Sequence, residues 1–427
     1  MEIEIKNNKL FFDGCNTVEL AKEYGTPLYV VSENEILNRI NELKECFLDK
    51  YQNVRIAYAA KAFFPLYMAR LIKQQNICVD VVSGGELYTA IKAGISPERI
   101  EFNGNNKLYS ELEAAIDYGV GRIIVDGFHE LDLIEDICQK KNKKIEILLR
   151  LTPGVKTSSH DYIVTGKKDS KFGFTADEET VLPIVKKALV SEYIHLKGFH
   201  FHVGSQLFEN EYHLEALNKV LDLFLLVNKE TNWDIEELNV GGGFGAKYID
   251  EERKPFSYFL DPIMEAIADF FQKNNKSMPT VAIEPGRSIV AEAGITLYSV
   301  GEIKEIKDLI KYVSVDGGMA DNIRPALYQA EYTAIVANKA DENYPDKEVV
   351  SICGKCCESG DILIKNIELS KTEMGDIIAI LSTGAYGYSM ASNYNKIPKP
   401  AVVAVKDGKA ELVVRRQTFE DMTREEI

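Results

Sequence analysis

Residues 54–63 read VRIAYAAKAF, and this stretch begins the pattern from which the fold can be predicted. Its first positions form a short alternating strand, and Lys61 follows that strand directly. Further β-rich runs follow, separated by longer amphipathic segments such as 87–93 and 214–226. These runs cover residues 78–82, 100–103, 122–126, 145–151, 195–202, 237–240 and 280–283.

The alternation of strands and helices indicates parallel βαβ units, and eight such units predict a (β/α)8 barrel of the TIM type. A doubly wound open sheet is the structural alternative, but no GxGxxG follows the first strand. Beyond residue 285, strand-like runs and hairpin turns replace the helical patterns, and the first 28 residues are also strand-like. We therefore predict a barrel at 29–284 and a β-sandwich domain built from 1–28 and 285–427.

Composition limits the class of partner. The chain has 427 residues and a net charge of −16, which argues against nucleic acid and anionic membranes as partners but not against a small anionic substrate. The N-terminus lacks the apolar core of a signal peptide, and no apolar run is as long as a membrane span. Seven scattered cysteines suit a reducing cytoplasm better than a disulfide framework.

Polar and glycine residues collect where the predicted barrel strands end, which is where barrel enzymes place their active sites. Lys61 is the first of these residues; it is either a solvated surface lysine or an amine that forms a Schiff base. The run GGGFG at 241–245 follows the seventh strand, and Gly286 and Arg287 follow the eighth. Glycines let backbone N–H groups approach an anion closely, so these loops predict a phosphate site, with a tight turn as the alternative.

His200 and His202 lie on one face of the sixth strand because side chains alternate along a strand. A His-x-His pair can bind a metal, but no third ligand with suitable spacing is apparent, and we predict no metal. Packing of His202 on a flat cofactor ring is the better functional interpretation, while His200 can equally be a hydrogen-bonded core residue.

Glu284 ends the eighth strand, where burial of a carboxylate is costly without a partner. A carboxylate against a pyridine nitrogen keeps that nitrogen protonated and makes the ring a strong electron sink. A solvated glutamate is the alternative if Glu284 is considered alone. Together with Lys61, the glycine run and His202, it predicts a pyridoxal phosphate pocket.

The second domain contributes its own candidates. Arg324 and Tyr328 are four residues apart, Cys357 and Glu358 place a thiol beside a carboxylate, and Tyr386 lies in a glycine-flanked turn. Cys353 and Cys356 form a CxxC, but neither a second pair nor a thioredoxin-like context supports zinc or redox chemistry.

Taken together, these motifs resemble the diaminopimelate decarboxylases, which are fold-type III pyridoxal phosphate enzymes. The resemblance extends over nearly the whole chain and rests on residues 57–62, 160–163, 170–174, 202–205, 284–287, 357–361 and 384–387. It implies a head-to-tail homodimer with active sites at the subunit interface, and decarboxylation of meso-diaminopimelate to L-lysine, the last step of that route to lysine. Residues 155–171 are predicted to form a mobile lid.

The resemblance also implies a role for each candidate residue. Lys61, His202, Glu284 and Cys357 would be catalytic, Lys61 as the Schiff-base lysine and Cys357 as proton donor from the other subunit. The cofactor would contact Lys61, His202, Ser205, Gly242, Gly243, Glu284, Gly286, Arg287 and Tyr386. The substrate would contact Arg287, Arg324, Tyr328, Glu358 and Tyr386.

Charge favours diaminopimelate over the substrates of related decarboxylases, which are ornithine, arginine, lysine and carboxynorspermidine. Diaminopimelate carries a second carboxylate that Arg324 and Arg287 can bind, whereas distal amines favour an acidic partner. Two further classes of protein share the barrel and its lysine: a racemase, and a non-enzymatic pyridoxal phosphate carrier. Glu284 argues against the first, and the second would not need residues 285–427.

Overall fold

The structure is a computed structural model that describes residues 3–155, 170–341 and 343–427. The motif at 160–163 and most of the predicted lid at 155–171 lie outside the described residues. The chain divides into two compact units, one made of Asn41–Gly245 and Arg253–Gly286 and the other of Met1–Ile40, Ala246–Glu252 and Arg287–Ile427. Within the described ranges, no helix is long and apolar enough to cross a membrane.

The first unit is a closed barrel of eight parallel strands, as predicted. Each strand pairs with the next along the chain, and Val281 opposite Val54 closes the ring between the last strand and the first. The strands are almost wholly buried, as expected of a parallel sheet covered on its outer face by helices. They are Val54–Ala59, Cys78–Val81, Ile100–Phe102, Arg122–Val125, Ile145–Thr152, Ile194–Phe201, Glu237–Asn239 and Thr280–Ile283.

One of seven helices lies between each barrel strand and the next along the chain. They are Leu66–Gln75, Gly84–Ala93, Tyr109–Tyr118, Phe128–Lys141, Glu178–Leu189, Glu211–Thr231 and Phe256–Lys273, with shorter turns at Lys44–Leu48, Ala60–Ala62 and Pro97–Arg99. Local sequence fixes several of their ends. Ser83 accepts the Glu86 N–H at one N-terminus, and Gly94 ends the same helix in the left-handed conformation. A short extra strand, Phe174–Thr175, pairs with Ile145–Thr152.

The second unit is a mixed β-sheet domain assembled from both ends of the chain. A three-stranded sheet comprises Ile3–Lys6, Lys9–Phe12 and Cys15–Asn16. The nine-stranded sheet comprises Leu28–Ser32, Gly294–Ile306, Ile310–Val315, Ala334–Val336, Lys347–Cys353, Ile362–Ser370, Ile377–Ile380, Ala401–Lys406 and Lys409–Val414. The helices are Thr17–Tyr24, Glu33–Leu43, Arg287–Val290, Arg324–Tyr328 and Phe419–Thr423, with turns at Tyr388–Met390 and Tyr394–Lys396.

The predicted boundary at residue 29 differs from this division. Strand Leu28–Ser32 pairs antiparallel with Gly294–Ile306 and parallel with Ala401–Lys406, so it belongs to the mixed sheet. Leu28 and Val30 lie in an apolar core that also contains residues from both ends of the chain, including Phe12 and Val403. Because this strand is buried on both faces, its sequence has no alternation that would distinguish it from a barrel strand.

Candidate active site

Four groups of predicted site residues lie at the carboxyl ends of barrel strands. Lys61 is exposed in the turn Ala60–Ala62, directly after the first strand. His202 follows the sixth strand, the glycine run begins two residues after the seventh, and Glu284 follows the eighth. Parallel strands in a barrel end at one mouth, so these groups share it. The charge of Lys61 acts on the carboxyl groups of both Asp80 and Glu284.

The Glu284 carboxyl group is buried and ionised. Burial alone would raise its pKa, but His200, His202 and Lys61 together lower the pKa well below its ordinary value. The closest of these groups is His200, whose Nε2 lies 2.9 Å from Glu284 Oε1. His200 is completely buried, as expected of the hydrogen-bonded core residue that the sequence allowed. Its partner is the Glu284 carboxylate.

Asp80 is another buried carboxyl group in the barrel, and it was not predicted from the sequence as a site residue. Burial raises its pKa well above the ordinary value, the charge of Glu284 raises it further, and Lys61 only partly opposes them. Neither oxygen of Asp80 has a hydrogen-bond partner in the described part of the chain. Asp80 therefore keeps its proton while Glu284 is ionised. Its one sequence signal was an acidic side chain inside the apolar strand Cys78–Val81.

His202 is held as a neutral ring. Its pKa is far below the ordinary value, first because the ring is desolvated and second because Lys61 lies nearby. The Gly242 N–H donates a hydrogen bond to Nδ1 over 3.2 Å, so the proton of the neutral ring is on Nε2. An uncharged imidazole with a fixed orientation is suited to packing flat against an aromatic cofactor.

The glycine run after the seventh strand forms a tight loop that only glycine can form. Gly243 has φ +104, and a Cβ there would lie 2.5 Å from the Gly204 carbonyl oxygen. His213 Nε2 lies 2.9 Å from the Gly242 carbonyl oxygen, and Leu207 N–H donates to the Gly243 carbonyl. The Gly242 N–H donates to His202. The Gly243 N–H has no hydrogen-bond partner among the described residues.

These barrel residues fit pyridoxal phosphate. The Gly243 N–H can donate to a phosphate, and ionised Glu284 can accept from a pyridinium nitrogen. Gly286 provides room beside the first strand, because a Cβ there would lie 2.9 Å from the Ala59 Cβ. Ser205 is half-buried in the loop after His202. An exposed Lys61 amine completes the set.

In the second unit, two arginines are enclosed by tyrosines. Arg287 Nη1 donates to the Tyr248 hydroxyl over 2.7 Å, and its guanidinium lies 4.8 Å from the centre of the Tyr386 ring. Arg324 donates to the Tyr332 hydroxyl and lies 4.9 Å from the Tyr248 ring. Tyr248 and Tyr332 were not predicted from the sequence, because neither lies in a run that distinguishes it from an ordinary buried tyrosine.

The tyrosines keep Arg324 charged although it is buried. Burial alone would lower its pKa, but Tyr248 and Tyr332 raise the pKa above the ordinary value. Burial also raises the pKa of Tyr332 to about 12, so this hydroxyl keeps its proton while it accepts the hydrogen bond. Tyr328 is half-buried at the end of helix Arg324–Tyr328. The hydroxyl group that accepts a hydrogen bond from Arg324 belongs to Tyr332.

Cys357 and Glu358 are exposed on a loop that Asp361 holds in place. The buried Asp361 carboxylate accepts the N–H groups of Met319 and Cys356, over 2.7 and 2.8 Å. The Cys357 N–H donates to Asn395 Oδ1 over 2.7 Å. The loop therefore presents a thiol and a carboxylate on a fixed backbone. The CxxC cysteines, Cys353 and Cys356, are both free thiols.

Comparison with known proteins identifies the family. Residues 33–291 match the family of the pyridoxal-dependent decarboxylases, pyridoxal binding domain. The chain is 47% identical over 412 residues to the diaminopimelate decarboxylase of Halalkalibacterium halodurans, covering 96% of this chain and 93% of that one. It is 46% identical over 420 residues to the diaminopimelate decarboxylase of Bacillus subtilis, covering 98% and 95%.

Solved structures agree with the sequence relatives. The fold superposes on the diaminopimelate decarboxylase of M. jannaschii with a TM-score of 0.93 and 37% identity, covering 100% of this chain and 97% of that one. The same values apply to the M. jannaschii enzyme in complex with L-lysine. The chain therefore belongs to the diaminopimelate decarboxylase family of fold-type III pyridoxal phosphate enzymes.

Proposed function

We propose that this protein decarboxylates meso-2,6-diaminopimelate to L-lysine and carbon dioxide with pyridoxal phosphate, as the last step of lysine biosynthesis by that route. The observation that carries the proposal is the buried, ionised Glu284 at the same barrel mouth as Lys61 and the glycine run. Full-length similarity to diaminopimelate decarboxylases supports the choice of substrate.

The barrel residues hold the cofactor. The Lys61 amine would bind it covalently, the neutral His202 ring would pack on it, and Glu284 would accept a hydrogen bond from its ring nitrogen. Its phosphate would be bound by Ser205, Gly242, Gly243, Gly286, Arg287 and Tyr386, with the Gly243 N–H, which has no partner among the described residues, as one donor. When bound, pyridoxal phosphate supplies the electron sink that accepts the electron pair left behind as carbon dioxide departs.

The chain's own residues also bind and protonate the substrate. Arg324 and Arg287 bind carboxylate, together with Tyr328 and Tyr386. Glu358 pairs with a substrate amino group, and Cys357 delivers a proton to the α-carbon. Tyr332 and Tyr248 hold the two arginines, so they are positioning residues for substrate recognition.

The enzyme works as a homodimer with shared active sites, in which Cys357 and Glu358 act at the site of the other subunit. Support for this arrangement comes from their exposure on a fixed loop. A cytoplasmic location agrees with seven cysteines that are all free thiols.

A substrate panel tests the function. Purified protein with pyridoxal phosphate should release one lysine per carbon dioxide from meso-diaminopimelate, with far lower kcat/KM for ornithine, arginine and lysine. Arg324→Lys should raise KM for diaminopimelate about tenfold, because lysine cannot form the bidentate contact, whereas the exposed Arg415→Lys should not. Faster turnover of ornithine or arginine would contradict the assignment.

In the same assay, mixed Lys61→Ala and Cys357→Ala subunits should recover activity if sites are shared.

A further inference from the structure

A chain of polar side chains runs through the interior of the barrel and ends at Glu284. Glu284 Oε1 lies 2.9 Å from His200 Nε2 and receives a second hydrogen bond, also 2.9 Å, from the Asn239 amide. Both contacts fall on the same carboxylate oxygen. In the described part of the chain, no hydrogen bond to Oε2 accompanies them.

Asn239 is completely buried and uses both ends of its amide. Its Nδ2 donates to Glu284 Oε1 and to Glu101 Oε2, the second over 3.1 Å. Its Oδ1 accepts the N–H of Gly241, the first residue of the glycine run, over 2.9 Å. Because an N–H can only be accepted by the oxygen, this contact fixes which end of the amide faces the two carboxylates.

The other side chains of this polar network balance the charge of Glu101. Arg55 pairs with Glu101 and, over 3.2 Å, with Glu237, and Arg122 pairs with Glu237 over 2.7 Å. The charge of the Glu101 carboxylate is therefore balanced by Arg55, and the uncharged Asn239 amide adds a hydrogen bond to it. The Asn239 amide is instead a rigid bridge between a fixed ion pair and Glu284.

We propose that Asn239 is a positioning residue for the cofactor, an inference that rests on the proposed function. By holding Glu284 through Oε1, it leaves Oε2 as the oxygen that pairs with the pyridine nitrogen. Through Gly241 the same side chain fixes the start of the glycine run. One amide thereby sets the spacing between the carboxylate for the ring and the loop for the phosphate.

The substitution Asn239→Asp isolates the donor function, because aspartate keeps the oxygen that accepts the Gly241 N–H. When the introduced carboxyl group is protonated it keeps one donor, whereas in its ionised form it adds a carboxylate beside Glu101 and Glu284. Asn239 contacts two carboxyl groups, those of Glu101 and Glu284. The other charged and titratable groups linked to this position act on Glu284 or belong to the ion pairs of Glu101: Lys61, Asp80, Arg150, His200 and His202 for the first, and Arg55, Arg122 and Glu237 for the second.

The test is the dissociation constant of pyridoxal phosphate for the apoenzyme, measured for Asn239→Asp and wild type at about pH 6 and about pH 8.5. At the lower pH the dissociation constant of the variant should stay within a few-fold of the wild-type value. At the higher pH the ratio of the two dissociation constants should rise roughly tenfold or more, which corresponds to losing a hydrogen bond to a charged group. A role in packing alone would give a ratio that does not change with pH.

Asn210→Asp is the matched control, because Asn210 is also buried and its amide donates to the Phe259 carbonyl. The ratio of its dissociation constant to that of wild type should be the same at both pH values. A constant ratio for Asn239→Asp, or an equal rise for Asn210→Asp, would overturn the inference. If Asn239→Asp does not fold, Glu101→Gln/Asn239→Asp measured against Glu101→Gln gives the same comparison. Wild-type protein that binds no pyridoxal phosphate would instead overturn the proposed function.

Discussion

Asp80 and Glu284 show how the same chemical group acquires two protonation states within one barrel. Glu284 has His200 and Asn239 as hydrogen-bond partners, and these stabilise its ionised form. Asp80 has no such partner among the described residues, so burial and the nearby Glu284 charge keep its proton on. A protonated Asp80 leaves Glu284 as the carboxylate available to a pyridinium nitrogen.

Asp80 gives a pH-dependent prediction for the apoenzyme. The unfolded chain loses this proton near the ordinary aspartate pKa of 3.8, whereas the folded protein retains it to much higher pH. The folded state then binds more protons, so the stability contributed at Asp80 is lost as pH rises between the two pKa values.

Asp80→Asn, which does not titrate, should therefore gain stability over wild type as pH rises above the ordinary aspartate pKa of 3.8, by up to about 1.4 kcal/mol per pH unit until the raised pKa of the folded state is reached. Thermal unfolding midpoints of the two apoenzymes across this range measure the difference. A midpoint difference that is independent of pH would contradict a protonated Asp80.

The candidate site residues that were predicted correctly in position are those that directly follow a barrel strand. Lys61 and Glu284 were predictable because a charged residue directly after an apolar strand is unusual, and barrel geometry brings strand ends together. Asn239 and Tyr332 were not predictable. Their roles depend on which partner lies within hydrogen-bond distance, and nothing in the local sequence contains that information.

At the scale of elements, the glycine run joins the seventh barrel strand to the functional site. Gly241 has φ +72 and Gly243 has φ +104, conformations that side-chain-bearing residues rarely adopt. The loop is tied to Asn239, His202 and His213 through its first two residues. This leaves the Gly243 amide free in the described structure and in a fixed position.

Gly243→Ala should disrupt this loop, because the new methyl group would meet the Gly204 carbonyl oxygen in a strained backbone conformation. We expect a loss of about 1–3 kcal/mol in stability and at least about tenfold weaker binding of pyridoxal phosphate. Gly127→Ala is the control, because φ is −156 there and no atom lies within 4 Å of the added Cβ. Equal effects of the two substitutions, in unfolding and cofactor titrations, would show that the loop conformation has no special role.

The barrel strands were predictable element by element, because each combines a short β-rich run with a helical segment. The mixed sheet was only partly predictable. Strands Gly294–Ile306 and Ile362–Ser370 and helix Thr17–Tyr24 were not identified, although the domain's composition from both chain ends was. Strand pairing such as Val402 opposite Tyr29 joins residues far apart in sequence, and local patterns do not specify such partners.

At the scale of the whole molecule, one chain supplies two sets of functional groups. The barrel supplies the lysine, the ionised glutamate and the glycine run, and the mixed β-sheet domain supplies two buried arginines and an exposed thiol on a fixed loop. The same fold, over the whole length of this chain, is found in the M. jannaschii diaminopimelate decarboxylase. The proposed chemistry requires pyridoxal phosphate to be bound at Lys61.

The most direct test of that claim is to reduce the holoenzyme with borohydride, digest it and locate the modified lysine by mass spectrometry. Reduction makes the bond between a lysine amine and pyridoxal phosphate permanent. We predict one phosphopyridoxyl group per chain, on the peptide that contains Lys61, and none in Lys61→Ala. Modification of a different lysine in the wild-type protein, or none after pyridoxal phosphate has bound, would contradict the assignment of Lys61.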